Sequence, residues 1–428
     1  MGKPTILIVG TLDTKREEFL YLRSQILALS SDSCSTKFLD VGRTVQDASS
    51  LSVPEDELVP GPLRRATFAS KPRGEYIKAT IEECIPIVRR LVQSSSINGI
   101  ISAGGSSGTS LATALMREAC PVGFPKVMVS TMASGDVKPF VEETDVTMMY
   151  SVVDVAGINS ILAMILANAA GAVVGMVNAK ARADIDDRKI DARRGKRIAI
   201  TMFGVTTPCV DTIRMILTSA PYEKENYEIF VFHATGAGGR AMERLIREDG
   251  IDAVIDLTTT EIADELFGGV LAAGPGRLEA GAQMGIPMVV SVGACDMVNF
   301  GPKDTVPEKY RGRKLYEHNP AVTLMRTSKA ENIETGRFIA SKLSANVKRS
   351  EVVRVLLPLG GVSMLDQRGQ AFHDQEADQA LFDTLEEGLK DSMIQVTSLD
   401  HHINDEGWAE AAVESIIELM KKANAGDA

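Results

Sequence analysis

A chain of 428 residues is too long for one ordinary core, so two domains are expected. Its 44% hydrophobic and 24% charged residues are the make-up of a soluble globular protein. The formal net charge of -11 argues against general nucleic-acid binding, which needs surplus Lys and Arg, while leaving room for one local basic pocket.

The chain enters an apolar strand, Thr5–Gly10, almost at once, with no signal peptide evident, and a cytoplasmic protein is expected. Five scattered cysteines without a CxxC pair fit a reducing compartment and argue against a zinc ribbon. The turn Gly10-Thr11-Leu12-Asp13-Thr14-Lys15 ends that strand. There Asp13 suits a metal ion or a ribose hydroxyl and Lys15 a phosphate; the alternative is an N-cap for a helix over Arg16–Leu29. A strand at Lys37–Gly42, a helix at Tyr76–Gln93 and a strand at Gly99–Ala103 follow.

Next comes Gly104-Gly105-Ser106-Ser107-Gly108-Thr109-Ser110, leading into an amphipathic helix, Leu111–Ala119. Strand, glycine-rich turn and helix in that order make an anion cradle, because free N–H groups at the helix start point at negative charge. The loop lacks the Lys of a Walker A motif, so its phosphate contacts are expected from amides and the hydroxyls of Ser106, Ser107, Thr109 and Ser110. One of those hydroxyls can also reach Mg2+ held by the phosphates. The same letters spell a nucleophile elbow at Gly104-x-Ser106-x-Gly108, and with His402 they allow a serine hydrolase as an alternative.

After a strand at Lys126–Thr131, residues Val155 to Ala179 carry no charge and are long enough to span a bilayer. Asn159, Ser160, Asn168 and Asn178, with many Gly and Ala, favour instead a buried helix at a domain or subunit junction, and no membrane association. A charged stretch then separates domain 1–185 from domain 186–428.

The second half repeats the pattern, with strands at Arg197–Met202, Glu228–His233, Ala253–Leu257 and Pro287–Val292. Pro287-Met288-Val289-Val290-Ser291 parallels Pro125-Lys126-Val127-Met128-Val129-Ser130 of the first half. A second cradle, Thr235-Gly236-Ala237-Gly238-Gly239-Arg240, follows the strand ending at His233, and Arg240 would add charge to it. Asp256 with Glu261, and Asp296 after Gly293-Ala294-Cys295, put acids at strand ends as general bases, metal ligands or helix caps. Residues 299–320 read as an irregular loop, Arg354–Leu359 and Gln395–Leu399 as strands, and Glu410–Ala423 as a final helix. His401-His402 follows the last strand, but adjacent histidines cannot share a helix face as zinc ligands. Alternating strands and helices define an α/β fold of two doubly wound, Rossmann-like domains, with parallel sheets expected to face a shared cleft.

These blocks, in order, resemble one family: the ATP-binding domain of the tomato mosaic virus resistance protein and its bacterial and fungal relatives. The resemblance covers nearly the whole chain. It rests on Gly10-Thr11 with Asp13-Thr14-Lys15, the Gly104–Ser110 loop, Ser130-Thr131 with Ala133-Ser134-Gly135, and Ser151-Val152-Val153-Asp154. It continues through His233-Ala234-Thr235-Gly236, Asp256-Leu257-Thr258-Thr259, Gly293-Ala294 with Asp296-Met297, His318-Asn319 and His402-Ile403-Asn404-Asp405. The resemblance implies a two-domain protein that binds ATP and forms dimers. The expected cofactor is ATP with Mg2+, held by Gly104–Ser110, Lys15 and the Thr235–Arg240 loop, beside a small anionic substrate. Asp13, Asp296 and His402 are the candidates for proton or metal work. ATP-dependent activation of a small carboxylate or phosphoryl transfer is the expected reaction class, and a non-catalytic ATP-regulated interaction module is the alternative.

Overall fold

The computed structural model describes residues 3–31, 33–51, 53–62, 65–190 and 195–426. The chain divides into two compact units, Met1–Ala192 and Arg193–Ala428.

Unit 1 contains β1 (Thr5–Gly10), β2 (Ser35–Asp40), β3 (Leu58–Val59), β4 (Gly99–Gly104), β5 (Lys126–Ser130) and β6 (Thr147–Tyr150). They form one sheet in the order β3-β2-β1-β4-β5-β6, with every pairing parallel. Its main helices are α1 (Arg16–Leu29), α2 (Arg73–Gln93), α3 (Ser106–Ala119) and α4 (Ser160–Ile190). Because side chains alternate along a strand, β1 sends Ile6 and Ile8 into one apolar cluster and Leu7 and Val9 into another. The first cluster is closed by Phe19, Leu22 and Ile26 of α1 with Leu162, Leu166 and Val173 of α4. The second is closed by Cys84 and Val88 of α2 with Leu111, Leu115 and Met116 of α3. A strand buried on both faces reads as a continuous apolar run, as Thr5–Gly10 does.

Helix α4 accounts for the uncharged segment. Its stretch Ser160–Ala183 has a mean hydropathy of 2.0, long and apolar enough by composition to cross a membrane. Leu162, Leu166, Ala169, Val173 and Val177 are nevertheless part of the unit 1 core. The opposite stripe is exposed and runs through Ile161, Met164, Asn168, Gly171, Gly175 and Ala179.

Unit 2 contains β7 (Arg197–Met202), β8 (Glu228–His233), β9 (Ala253–Thr258), β10 (Met288–Gly293), β11 (Met297–Phe300), β12 (Leu315–Asn319), β13 (Val322–Arg326), β14 (Val353–Pro358) and β15 (Gln395–Leu399). The main sheet runs β15-β14-β10-β9-β7-β8, again all parallel. The helices used below are α5 (Thr207–Leu217), α6 (Ala237–Arg247), α7 (Thr260–Phe267), α8 (Lys329–Asn346), α9 (Gln375–Leu389) and α10 (Glu406–Gly426). The fully buried Trp408 of α10 packs with Ile213 of α5 and Ile255 of β9.

One expectation fails here. Residues 299–320 are not a plain loop: β11, β13 and β12 form a small antiparallel sheet that includes Leu315–Asn319. The strand at 315–319 is exposed along nearly its whole length, so no apolar alternation marked it in the sequence.

The two parallel sheets share their winding. In each, the chain fills one side of a starting strand and then crosses to the other, with the reversal between β1 and β4 in unit 1 and between β7 and β9 in unit 2. Strands β5 and β10 occupy equivalent places, which is where the likeness of Pro125–Ser130 to Pro287–Ser291 falls.

Candidate functional site

Ligands of doubly wound sheets bind outside the carboxyl ends of the strands, where the winding reverses. In unit 1 that place holds a cavity of about 360 Å3, walled by the ends of β1 and β4. Gly10, Thr11, Asp13, Thr14 and Lys15 come from the turn after β1, and Gly104 to Gly108 from the turn after β4. Arg73, Tyr76 and Ile77 come from the first turns of α2, Arg43 from the turn after β2, and Asp154 from the segment after β6.

Three long helices thus begin at this wall, and none of the three has a side-chain N-cap. In α3 the first amide with a backbone acceptor is that of Thr109, which donates to Gly105 O at 2.9 Å. Helix geometry leaves the N–H groups of Ser106, Ser107 and Gly108 without an intrahelical acceptor, and the first turn carries no acid to satisfy the dipole.

The glycines here are not required by the protein. A Cβ on Gly105 would meet nothing nearer than Thr131 Oγ1 at 3.8 Å, and one on Gly108 nothing nearer than Ala103 O at 3.9 Å. Gly104 has room as well, with its nearest neighbour, Gly108 Cα, at 3.4 Å. None of the three has positive φ. What their missing side chains provide is open approach to the amides.

Not every expected residue faces the cavity. Thr109 is fully buried; its hydroxyl lies 2.9 Å from Gly105 O and 2.6 Å from Ser130 Oγ. Ser110 turns its hydroxyl back to Ser106 O at 3.0 Å. Both hydroxyls are spent on bonds of their own, which leaves Ser106 and Ser107 as the hydroxyls of this loop that line the space. Lys15 lines it too, with Nζ donating to Val155 O. Asp13 does not cap α1: it accepts from Thr44 N at 3.0 Å, and its Oδ1 is enclosed without a partner. Ser106 does not adopt the positive φ of a strained nucleophile elbow, and all five histidines lie in unit 2, so unit 1 holds no Ser–His pair.

Arg43, Arg73 and Tyr76 were missed. The Arg43 guanidinium lies 4.4 Å from the centre of the Tyr76 ring, whose hydroxyl donates to Val41 O at 2.8 Å. Only the fold brings β2 and α2 beside the β4 turn, and the sequence around Arg43 carries no signal beyond Gly42.

The second glycine loop is built differently. The amides of Gly236 and Gly239 both donate to Glu261 Oε1, at 2.6 and 3.0 Å. Glu261 Oε2 in turn accepts from Arg277 Nε at 2.8 Å, and Arg277 grips Asp256 through two further bonds of 2.5 and 2.7 Å. Arg240 and Thr235 bond to backbone carbonyls of Ala272 and His233. The glycines answer to packing: Gly236 has φ +84, and a Cβ on Gly238 would sit 1.9 Å from His233 O. A carboxylate of the chain therefore occupies this cradle, and Thr235, Gly236, Gly238, Gly239 and Arg240 do not present the open amides that were expected of them. Arg277, fully buried, was not foreseen; it lies 16 residues beyond Glu261 with no motif between them.

Asp296 and His402 are brought together, but in a sealed cluster. Ser363 Oγ donates to Asp296 Oδ2 at 2.7 Å, and Ser363 O is 2.9 Å from His402 Nε2. His402 Nδ1 accepts from Asn404 N at 3.1 Å, so Nε2 carries the proton and both ring nitrogens are engaged. Asp366 and Asp378 flank Arg326, at 3.5 and 2.6 Å. Burial pushes Asp296 up to about 6 against the pull of Arg326. Burial and the charges of Asp296 and Asp378 raise Asp366 to about 9. Among the described residues no group of three or more acidic, His or Cys side chains is placed to hold a metal ion.

The fold and this crevice define a two-unit α/β protein, its main sheets parallel, with a cavity lined by uncapped helix starts at the reversal of the unit 1 sheet. The chain belongs to the family described as uncharacterised protein family UPF0261, whose N-terminal domain matches residues 4–182 and C-terminal domain residues 195–420. A UPF0261 protein of Clostridium tetani (strain Massachusetts / E88) is 47% identical over 420 residues, covering 97% of this chain and 99% of its own length. The ToMV resistance protein Tm-1(GCR237) of Solanum lycopersicum is 38% identical over 441 residues; the match takes in 99% of this chain but 56% of that protein. The solved structure of a putative UDP-N-acetylglucosamine 2-epimerase from Listeria monocytogenes aligns over 93% of this chain and 100% of its own, at 9% identity and a TM-score of 0.23. That superposition is too loose to carry an argument.

Removing the internal carboxylate should be costly. Glu261→Ala leaves Arg277 Nε and the amides of Gly236 and Gly239 without their acceptor, and should lower stability by about 3–5 kcal/mol in urea unfolding. A loss under about 1 kcal/mol would contradict the role given to Glu261.

The Asp366 cluster predicts a pH effect. Its folded value lies above the ordinary 3.8, so its contribution to stability is full below that value and is lost as pH rises towards 9. Asp366→Asn, which cannot ionise, should flatten the fall in thermal midpoint between pH 6 and 9. An equal slope in both proteins would refute it.

Proposed function

We propose that this protein binds a nucleotide, ATP with Mg2+, in the unit 1 crevice. The observation that carries the reading is the uncapped start of α3: three free amides beside glycines that the fold itself does not need. Lys15 and Arg73 add positive charge to the same wall. The polyphosphate lies along Gly104–Gly108, and Ser106 or Ser107 reaches its Mg2+. The choice of ATP among nucleotides rests on the family resemblance, and the geometry supports its anionic part. The Thr235–Arg240 loop is left out of this site because Glu261 fills it.

If the protein is an enzyme, activation of a small carboxylate or phosphoryl transfer is the class that ATP chemistry offers it. A non-catalytic, ATP-regulated interaction module is favoured by one observation: Asp296 and His402, the expected proton carriers, are buried and hydrogen-bonded within unit 2. Turnover of ATP with a panel of small acids separates the two. We place the protein in the cytoplasm, where five buried cysteines outside any disulfide stay reduced, and away from membranes and nucleic acid. The exposed stripe of α4 suits a second copy: Met164 is 63% and Ile161 45% exposed, and Gly171, Gly175 and Ala179 allow close helix approach.

Gly105→Val should abolish the heat of ATP binding in calorimetry while the thermal midpoint stays within a few degrees, because a Cβ there meets nothing nearer than Thr131 Oγ1 at 3.8 Å. Unchanged affinity would overturn the placement. For the dimer, Met164→Glu should shift the mass seen in sedimentation from two chains to one; a monomeric wild type, or an unaltered dimer, would remove α4 from the interface.

A further inference from the structure

The segment after β6 does more than connect. Strand β6 is the edge of its sheet, yet the residues that follow return across the strand ends to the cavity at β1 and β4. Asp154 reaches the wall, Val155 O accepts from Lys15 Nζ, and Gly157 N donates to Glu18 Oε1 at 2.7 Å. The strap is thus tied to α1 at two points. Its corner is a tight three-residue turn, with Val153 N donating to Ser151 O at 2.6 Å. Val152 at its centre has φ 62, a left-handed conformation that a β-branched residue rarely adopts. Such strain persists only where the surroundings impose it.

What this strap brings to the rim of the cavity is an exposed carboxylate. Among the described residues none donates to Asp154 or pairs with it. A free carboxylate beside an anion cradle is counterproductive for a bare phosphate or polyphosphate, since like charges repel. It is useful for a ligand that carries hydrogen-bond donors next to its phosphate.

We propose that Asp154 selects, for this cradle, phosphate esters of sugars with free hydroxyls, its carboxylate accepting from a hydroxyl while the α3 amides hold the phosphate. The proposal rests on the phosphate reading of the same cavity. It assigns the strap Ser151–Gly157 as the specificity element, with Lys15 and Glu18 positioning it from α1.

The test is calorimetry on the full chain, with EDTA and without magnesium, using ribose 5-phosphate, propyl phosphate and inorganic phosphate. Ribose 5-phosphate should bind about tenfold or more tightly than propyl phosphate, the usual worth of a hydrogen bond to a charged group. Asp154→Ala should erase that preference and leave propyl phosphate bound as well or better, at an unchanged thermal midpoint. Asp154→Asn, which keeps an acceptor oxygen, should restore part of it. Equal affinity of the wild type for the two esters, or a preference that survives Asp154→Ala, overturns the proposal while leaving the cradle intact. A preference seen only after magnesium is restored also overturns it, because the carboxylate is then holding a cation. Binding of none of the three compounds sinks the phosphate reading and this proposal together.

Discussion

The first amides of a helix have no partner within it, and something outside must accept from them. The two units meet this requirement in opposite ways. At the start of α6 the acceptor is Glu261, a carboxylate from the next helix, itself neutralised by the buried Arg277. At the start of α3 no side chain steps in, and the amides open on a cavity at the reversal of the sheet. The proposed ligand site depends on this contrast: unit 2 fills its cradle with its own carboxylate, while in unit 1 the amides stay open to solvent or to a bound anion.

The buried charges of unit 2 follow the same reasoning. Arg277 faces Asp256, Glu261 and Glu243, and Arg326 faces Asp296, Asp366 and Asp378, so each arginine meets three carboxylates. Around Arg277 the excess negative charge is met by backbone donors: Gly236 and Gly239 on Glu261, Leu278 and Ala280 on Glu243. Around Arg326 donors are fewer. Asp366 accepts from Val362 N while its Oδ1 has no hydrogen-bond donor, and burial with the charges of Asp296 and Asp378 raises its proton affinity. The first cluster is held by amides, whereas in the second Asp366, raised to about 9, keeps a proton at neutral pH.

Much of the fold was legible because it is carried by periodicity. Runs such as Ile6-Leu7-Ile8-Val9 and Val254-Ile255 lie on strands buried on both faces, and parallel, helix-covered sheets follow from them. The exposed strand β12 was not legible, because side chains left in solvent on both of its faces make no apolar pattern to read. For the site, the Gly104–Gly108 turn stood out by composition, but which hydroxyls face the ligand depends on helix phase. Thr109 and Ser110 have the right chemistry, but Thr109 turns its hydroxyl inward to Ser130 and Ser110 spends its own on the helix carbonyl of Ser106. Arg43, Tyr76 and Arg277 act through contacts between segments far apart in the chain, and nothing local announces them.

The second glycine loop shows why composition alone misleads. Glycines appear where a ligand must approach, but equally where the chain must turn or pack against itself. The sheet order separates the cases. The turn after β4 has its counterpart in unit 2 after β9, not after β8, because β9 is the strand across the reversal. That counterpart is Thr258-Thr259-Thr260, whose side chains are fully buried. Thr258 and Thr259 bond to Thr206 Oγ1 and Ser291 O. Unit 2 thus fills with threonine the place that unit 1 empties with glycine, and it closes its glycine loop with a carboxylate. A repeated fold has kept one cradle open and made the other part of its own frame.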